Sequence, residues 1–119
     1  MHFFDTYAIF ETMRGNKSYE KYKEEVITTT ILNLGELYYG LLIKQGKKIA
    51  DSWLKEFKFD FLPLDARIVV KASYFRFLNK KKKFSYVDCI GYILALEHKI
   101  PFLTGDKAFK GLPNVEFVK

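Results

Sequence analysis

Residues 84–109 read FSYVDCIGYILALEHKIPFLTGDKAF, and this stretch decides the fold. Ser85 followed by Asp88 has the spacing of a capping box, so a helix starts here. Ile90, Leu94 and Ala95 lie on that helix. A tight connection through Pro101 leads to a short buried strand, and the strand ends in Thr104-Gly105-Asp106. If helix and strand pack side by side, Asp88 and Asp106 arrive at the same end of a sheet.

Upstream of this stretch the pattern repeats. Residues 1–4 are a short apolar run that predicts a first strand, with Asp5 at its carboxyl end. Tyr7, Ala8, Ile9, Phe10 and Met13 have the spacing of a short helix, broken by Arg14-Gly15-Asn16-Lys17. Ser18 is the expected cap of a second, charged helix. Residues 26–29 are rich in β-branched side chains and predict a second strand. From Thr30 the spacing is helical, with Ile31, Leu34, Tyr38, Leu41 and Leu42 on one face, and Gly46 ends it.

Residues 47–58 predict a further helix with Ile49, Ala50, Trp53, Leu54 and Phe57 on one face. Residues 59–64 hold a strand placed at or near an edge by Pro63. Asp65 is the expected cap of the next helix, whose buried stripe would be Ile68, Val69, Ala72, Phe75 and Leu78. Residues 115–118 predict a last strand. Helices alternating with short buried strands argue for an α/β fold: a short, mostly parallel central sheet with helices on both faces, in one domain spanning residues 1–119.

Composition bounds the function. The chain has 119 residues and is 49% apolar, which suits a folded domain with a real core. Its 12 Phe and 8 Tyr are expected to lie mostly in that core. A net charge of +6 favours anionic partners such as nucleic acid. Cys89 is the sole cysteine, so an internal disulfide is excluded and a reducing compartment fits. No apolar run reaches membrane-span length, and the N-terminus lacks the pattern of a signal peptide, so a cytoplasmic protein is expected.

In a doubly wound sheet, sites form beyond the carboxyl ends of the strands. Asp5 and Asp106 each follow a strand there, and Asp88 opens the helix before the last of these. Each also has an ordinary explanation as a cap or turn residue. Glu36 does not: it is mid-helix, with Asn33 and Gly40 on its row. Its ordinary explanation is a surface glutamate. Four acids on one rim would repel one another and raise each other's pKa unless a cation neutralised them. Hard oxygen donors of this kind suit Mg2+ or Mn2+. Zinc does not fit, since His2, His98 and Cys89 have no ligand spacing. His98 reads as a packed or surface residue and Cys89 as a small core residue.

Phe4-Asp5-Thr6, Glu36, Ser85-Tyr86-Val87-Asp88-Cys89 and Leu103-Thr104-Gly105-Asp106 together resemble the PIN domain, with the nearest likeness to small prokaryotic VapC-type ribonuclease toxins. The resemblance spans essentially the whole chain, and 88–109 is its most specific part. Tyr7 and Cys89 depart from it, standing where small or polar residues and alanine are common. The resemblance implies a metal-dependent endoribonuclease, the toxin of a type II toxin–antitoxin pair. It implies that Asp5, Glu36, Asp88 and Asp106 bind one or two divalent ions, Mg2+ or Mn2+, with Thr104 hydrogen-bonding a carboxylate or water there. It further implies an RNA substrate, a homodimer and a cognate antitoxin whose tail crosses the active-site groove. Tyr7, Phe10, Tyr19 and Tyr22 are candidates for that groove or for the core.

Arg14, Lys44, Lys47, Lys48 and the lysine run at 80–83 are candidate phosphate contacts, although a lysine loop is ordinarily just solvated. Competing readings are a housekeeping or structure-specific PIN nuclease acting on RNA or DNA, and a non-catalytic PIN domain. A receiver-like phosphorylation domain is disfavoured, because paired acids after the first strand and a late strand-end lysine are missing.

Overall fold

Phe3 and Phe4 are adjacent in the chain, and in an extended backbone they must face opposite ways. Both are fully buried, so the strand that carries them is covered on both sides. In the computed structural model, which describes residues 1–119, this strand (β1, Phe3–Phe4) is the middle of five. The others are β2 (Ile27–Thr29), β3 (Phe59–Phe61), β4 (Phe102–Thr104) and β5 (Val115–Phe117). The order is β3-β2-β1-β4-β5, and every pairing is parallel.

Each strand is only two or three residues long, so the helices supply most of the burial. Five connect the first four strands, α2 with α3 and α4 with α5 as consecutive pairs: α1 (Thr6–Met13), α2 (Ile31–Gln45), α3 (Lys47–Glu56), α4 (Ala66–Leu78) and α5 (Tyr86–Glu97). Phe4, Ile27 and Leu103 pack against Ala8, Ile9, Leu37, Leu41 and Ala50, so α1, α2 and α3 cover one face. Phe3 and Phe102 pack against Ile68, Ala72, Cys89, Tyr92 and Phe109, so α4 and α5 cover the other. Rings dominate that second face: Phe84 stacks on Phe109 at 4.2 Å, and Tyr92 meets Phe102 edge-on at 5.6 Å.

Several sequence expectations need correction. Residues 17–22 form a 3-10 helix capped by Asn16, whose side chain accepts from the Ser18 amide, so Ser18 lies inside the element rather than capping it. Of the stripe expected on α4, Ile68 and Ala72 are buried, but Val69 and Leu78 are exposed. Ile31 and Ile49 are exposed too, while on α2 the expected Leu41 is buried together with Leu37. These helices bury a narrower stripe than their apolar content suggests. The aromatic surplus is likewise split. Tyr19 and Tyr22 are core, whereas Tyr39, Tyr74, Phe77 and Tyr86 lie at the surface. The lysine run is a 3-10 turn over Lys80–Lys82 that closes with Lys83 in the left-handed region at φ 57°. No helix is long and apolar enough to cross a membrane.

Gly91 sets how closely α5 approaches the sheet. A Cβ there would stand 2.8 Å from Cε1 of Phe3 and 3.0 Å from its Cζ. Gly35 on α2 meets nothing within 4 Å. Opposite signs are therefore expected in urea denaturation. Gly91→Ala should destabilise by about 1–3 kcal/mol through overpacking, and Gly35→Ala should stabilise by up to about 1 kcal/mol through helix propensity. Equal midpoints for the two variants would contradict this account of α5 packing.

Candidate metal centre

The chain runs outward from β1 through β2 to β3, then crosses back to place β4 on the other side of β1. The switch in strand order therefore falls between β1 and β4, where an α/β sheet opens a crevice at its carboxyl edge. Asp5 follows β1 directly, and Asp106 stands two residues beyond β4. α5 runs into β4 through a tight turn, so its first turn, with Asp88, lies at that same edge. α2 leaves the edge after β2 and carries Glu36 in its second turn. Four segments distant in sequence thus bring the four expected acids to one region.

Asp5 is the innermost, with 3% of its surface exposed. The register pairs Phe4 with Leu103, so one residue further on Asp5 lies beside Thr104. The Thr104 hydroxyl donates to Oδ2 of Asp5 and accepts from the Asp106 amide at 3.0 Å. Oδ1 of Asp5 accepts from the Ala8 amide at 2.8 Å, capping α1. Burial pushes the Asp5 carboxyl from its ordinary 3.8 up to about 7. Hydrogen bonds from Thr104 and Ala8 oppose that shift, while Asp88 and Asp106 add to it.

Asp88 and Asp106 also act as caps. Ser85 and Asp88 form a reciprocal capping box, with the Ser85 amide 2.9 Å from Oδ2 and the Asp88 amide 3.0 Å from the serine hydroxyl. Oδ1 of Asp106 accepts from the Ala108 amide at 3.0 Å, starting a 3-10 turn over Lys107–Phe109. Cap and site are compatible, because the cap bonds occupy one oxygen of each carboxylate. Burial, with a further contribution from Asp106, raises the pKa of Asp88.

Glu36 is a surface residue whose carboxyl is held in place. Oε1 accepts from the Thr6 hydroxyl at 2.7 Å, and that hydroxyl accepts from Nδ2 of Asn33 at 3.0 Å. Asn33 is fixed in turn by Thr30, which caps α2. Partial burial, with Asp88 nearby, raises the pKa of Glu36. The relay Thr30–Asn33–Thr6–Glu36 was not anticipated from sequence, although its three-residue spacing from Thr30 to Asn33 to Glu36 was visible there.

Asp5, Asp88 and Asp106 line one pit with Tyr7, Lys107 and Lys119. Glu36 lines an adjoining groove with Thr6, Phe10, Gly40 and Lys44, and Tyr7 stands between the two. Tyr7 also explains Gly105. A Cβ there would fall 2.2 Å from the tyrosine ring and 2.7 Å from the Val118 carbonyl oxygen. His98 is at the surface. Cys89 is buried, and burial pushes its thiol up to about 11, which suits a core residue.

The donor set fits a hard divalent cation: carboxylates and hydroxyls, with no imidazole or thiol at the pit. Three of the acids line the pit and Glu36 lies in the adjoining groove, and no three His, Cys, Asp or Glu side chains are close enough to hold a metal as they stand. Like charges this near one another raise each other's pKa, and a bound cation would relieve that.

The solved structures that share this fold include these three. One is a toxin–antitoxin complex from Klebsiella pneumoniae, at TM-score 0.69 and 19% identity, covering 98% of this chain and 96% of that one. Another is VapBC2 from Rickettsia felis bound to a DNA fragment from their promoter, at TM-score 0.74 and 19% identity, covering 99% and 98%. The third is the Sarcin-Ricin loop cleaving toxin VapC20 from Mycobacterium tuberculosis, at TM-score 0.76 and 17% identity, covering 100% of both chains. No curated protein is significantly similar to the chain in sequence. The model of the PIN domain family matches residues 2–115, and the chain therefore belongs to that family.

Proposed function

We propose that the chain is a divalent-metal-dependent endoribonuclease that hydrolyses RNA phosphodiester bonds, the toxin of a type II toxin–antitoxin pair. The observation that supports this reading is the pit at the switch point, where Asp88 and Asp106 lie beside the buried Asp5 carboxyl, pushed up to about 7, with Glu36 in the adjoining groove. Likeness in fold to toxins of this class supports it.

Asp5, Asp88 and Asp106 would hold Mg2+ or Mn2+ in the pit, with Glu36 reaching in from the adjoining groove. Bound there, such an ion would supply Lewis-acid chemistry, favouring ionisation of a water and offsetting charge on the phosphate. The protein's part is positioning. Thr104 orients Asp5 by donating to Oδ2, and its own orientation is held by the Asp106 amide. Thr6 does the same for Glu36. Lys107 and Lys119 at the rim attract the anionic backbone toward an acidic pit it would otherwise avoid. No histidine lines the pit, so proton transfer falls to water and the carboxylates.

The groove beside Glu36 suits the antitoxin tail: Phe10 offers apolar contact, and Lys44 offers a cation. Exposed Val70 and Tyr74 on α4 suit the contact between two copies. A cytoplasmic setting, with a buried free thiol and no disulfide, completes the reading.

Cleavage of single-stranded RNA in Mg2+ or Mn2+ tests the activity. Asp5→Asn and Asp88→Asn are each expected to lose about 100-fold or more, and EDTA to abolish cleavage. Undiminished activity in both variants and in EDTA would sink the metal-nuclease reading. Induced expression should arrest growth, with relief by the cognate antitoxin, and Asp88→Asn should not arrest it.

The pKa shifts give a separate test on the metal-free protein. Folded Asp5 keeps its proton to about pH 7, but the unfolded chain loses it near the ordinary 3.8. Between those values the folded state binds more protons, so stability falls as pH rises and the full cost is present above pH 7. Glu36 and Asp88 shift in the same direction. In EDTA, Tm should decline between pH 4 and pH 7, and the decline should be shallower in Asp5→Asn. Identical slopes would contradict the burial of this carboxyl.

A further inference from the structure

The opposite flank of the α5 N-terminus carries a second feature, chemically unlike the pit. A cleft of about 400 Å³ opens between α4 and the start of α5, walled by Arg76, Phe77, Lys80, Lys83 and Tyr86. Its volume lies in the range of small-ligand sites, about 300–1,000 Å³. It has three cations and no carboxylate in its lining. None of the three takes part in any ion pair of the structure.

The cations are arranged on rings. The Arg76 guanidinium lies over the Tyr86 ring at 4.6 Å, and the Lys80 ammonium lies over Phe77 at 5.1 Å. Arg76 is fixed by its Nε, which donates to the Phe84 carbonyl at 2.8 Å, and its terminal nitrogens are left to other acceptors. Phe77 is 62% exposed and Tyr86 50%. Exposing these rings costs hydrophobic free energy that a wholly solvated lysine loop would not require. Exposed rings flanked by unpaired cations match a nucleotide, whose base has a π-face and whose phosphate is an anion.

Position connects the cleft to the pit. Tyr86 and Asp88 share the first turn of α5 and point about 200° apart around its axis. The cleft and the pit therefore lie on two sides of one helix end, on the order of 10 Å apart. Resting on the ribonuclease reading above, we propose that this cleft is a nucleotide subsite that holds a phosphate and stacks a base of the RNA strand beside the point of cleavage. The lysine run then acts through Lys80 and Lys83. Lys82 is otherwise engaged, donating to the Ala108 carbonyl at 3.1 Å.

The test measures binding of a fluorescein-labelled 12-nucleotide single-stranded RNA to the full chain in EDTA, where cleavage is off. Tyr86→Ala is expected to weaken binding about tenfold, and Tyr86→Phe to keep wild-type affinity because the ring remains. Lys80→Gln with Lys83→Gln should lower the slope of log K against log salt by about 1. All these side chains are at the surface, and circular dichroism verifies that each variant folds. Unchanged affinity and slope in a chain that still binds and cleaves RNA would overturn the subsite and leave the nuclease reading standing. A variant that splits a dimer or loses antitoxin with RNA affinity intact would make the cleft a protein interface and overturn it equally. A wild type that neither binds nor cleaves RNA would remove both readings.

Discussion

A carboxyl buried at the centre of the sheet edge is the constraint on which the rest of the structure depends. Asp5 follows a strand whose two residues are each sealed by a different hydrophobic layer. Its position leaves it almost no water, so the ionised form must be supported from within. A threonine hydroxyl and a helix amide do part of that, yet the carboxyl remains pushed up to about 7. Adding Asp88 and Asp106 nearby makes ionisation harder still. A fold selected for stability alone would place an apolar or amide side chain here. Retaining the acid makes sense if a cation is the missing partner.

The construction is economical. Three of the four acids carry out a local task, starting a helix or a 3-10 turn, with the oxygen that faces the backbone. Helix N-termini favour negative charge, so the same geometry that caps the helices also gathers the carboxylates. Glu36 is gathered differently. It is held by a side-chain relay that begins at the cap of its own helix, so the placement of α2 sets the placement of its carboxyl.

Much of this was legible in the chain. Apolar runs followed by acids marked the strand ends, and the Ser85–Asp88 spacing marked the start of α5. The cap roles legible for Asp5, Asp88 and Asp106 are present in the structure, and for Asp88 and Asp106 the cap bond occupies one carboxylate oxygen of the two. Less legible was which apolar residues are buried. Val69, Leu78 and Ile31 fit the periodicity of their helices and are exposed, because periodicity cannot tell a core stripe from one left for a partner or ligand. Phe77 and Tyr86 belong to the same class. Asn16 in place of Ser18 as a cap reflects a 3-10 turn too short to leave a periodic signal.

Family membership gives the fold and the expectation of a nuclease, while the proposed chemistry rests on this chain's own acids. The most direct measurement is calorimetry of Mn2+ binding at pH 6.5 in buffers of differing ionisation enthalpy. If the buried Asp5 carboxyl is pushed up to about 7 and a cation takes its proton's place, binding should release on the order of one proton. Asp5→Asn should abolish that release. Mn2+ binding with no proton release, or with the same release in Asp5→Asn, would contradict the account.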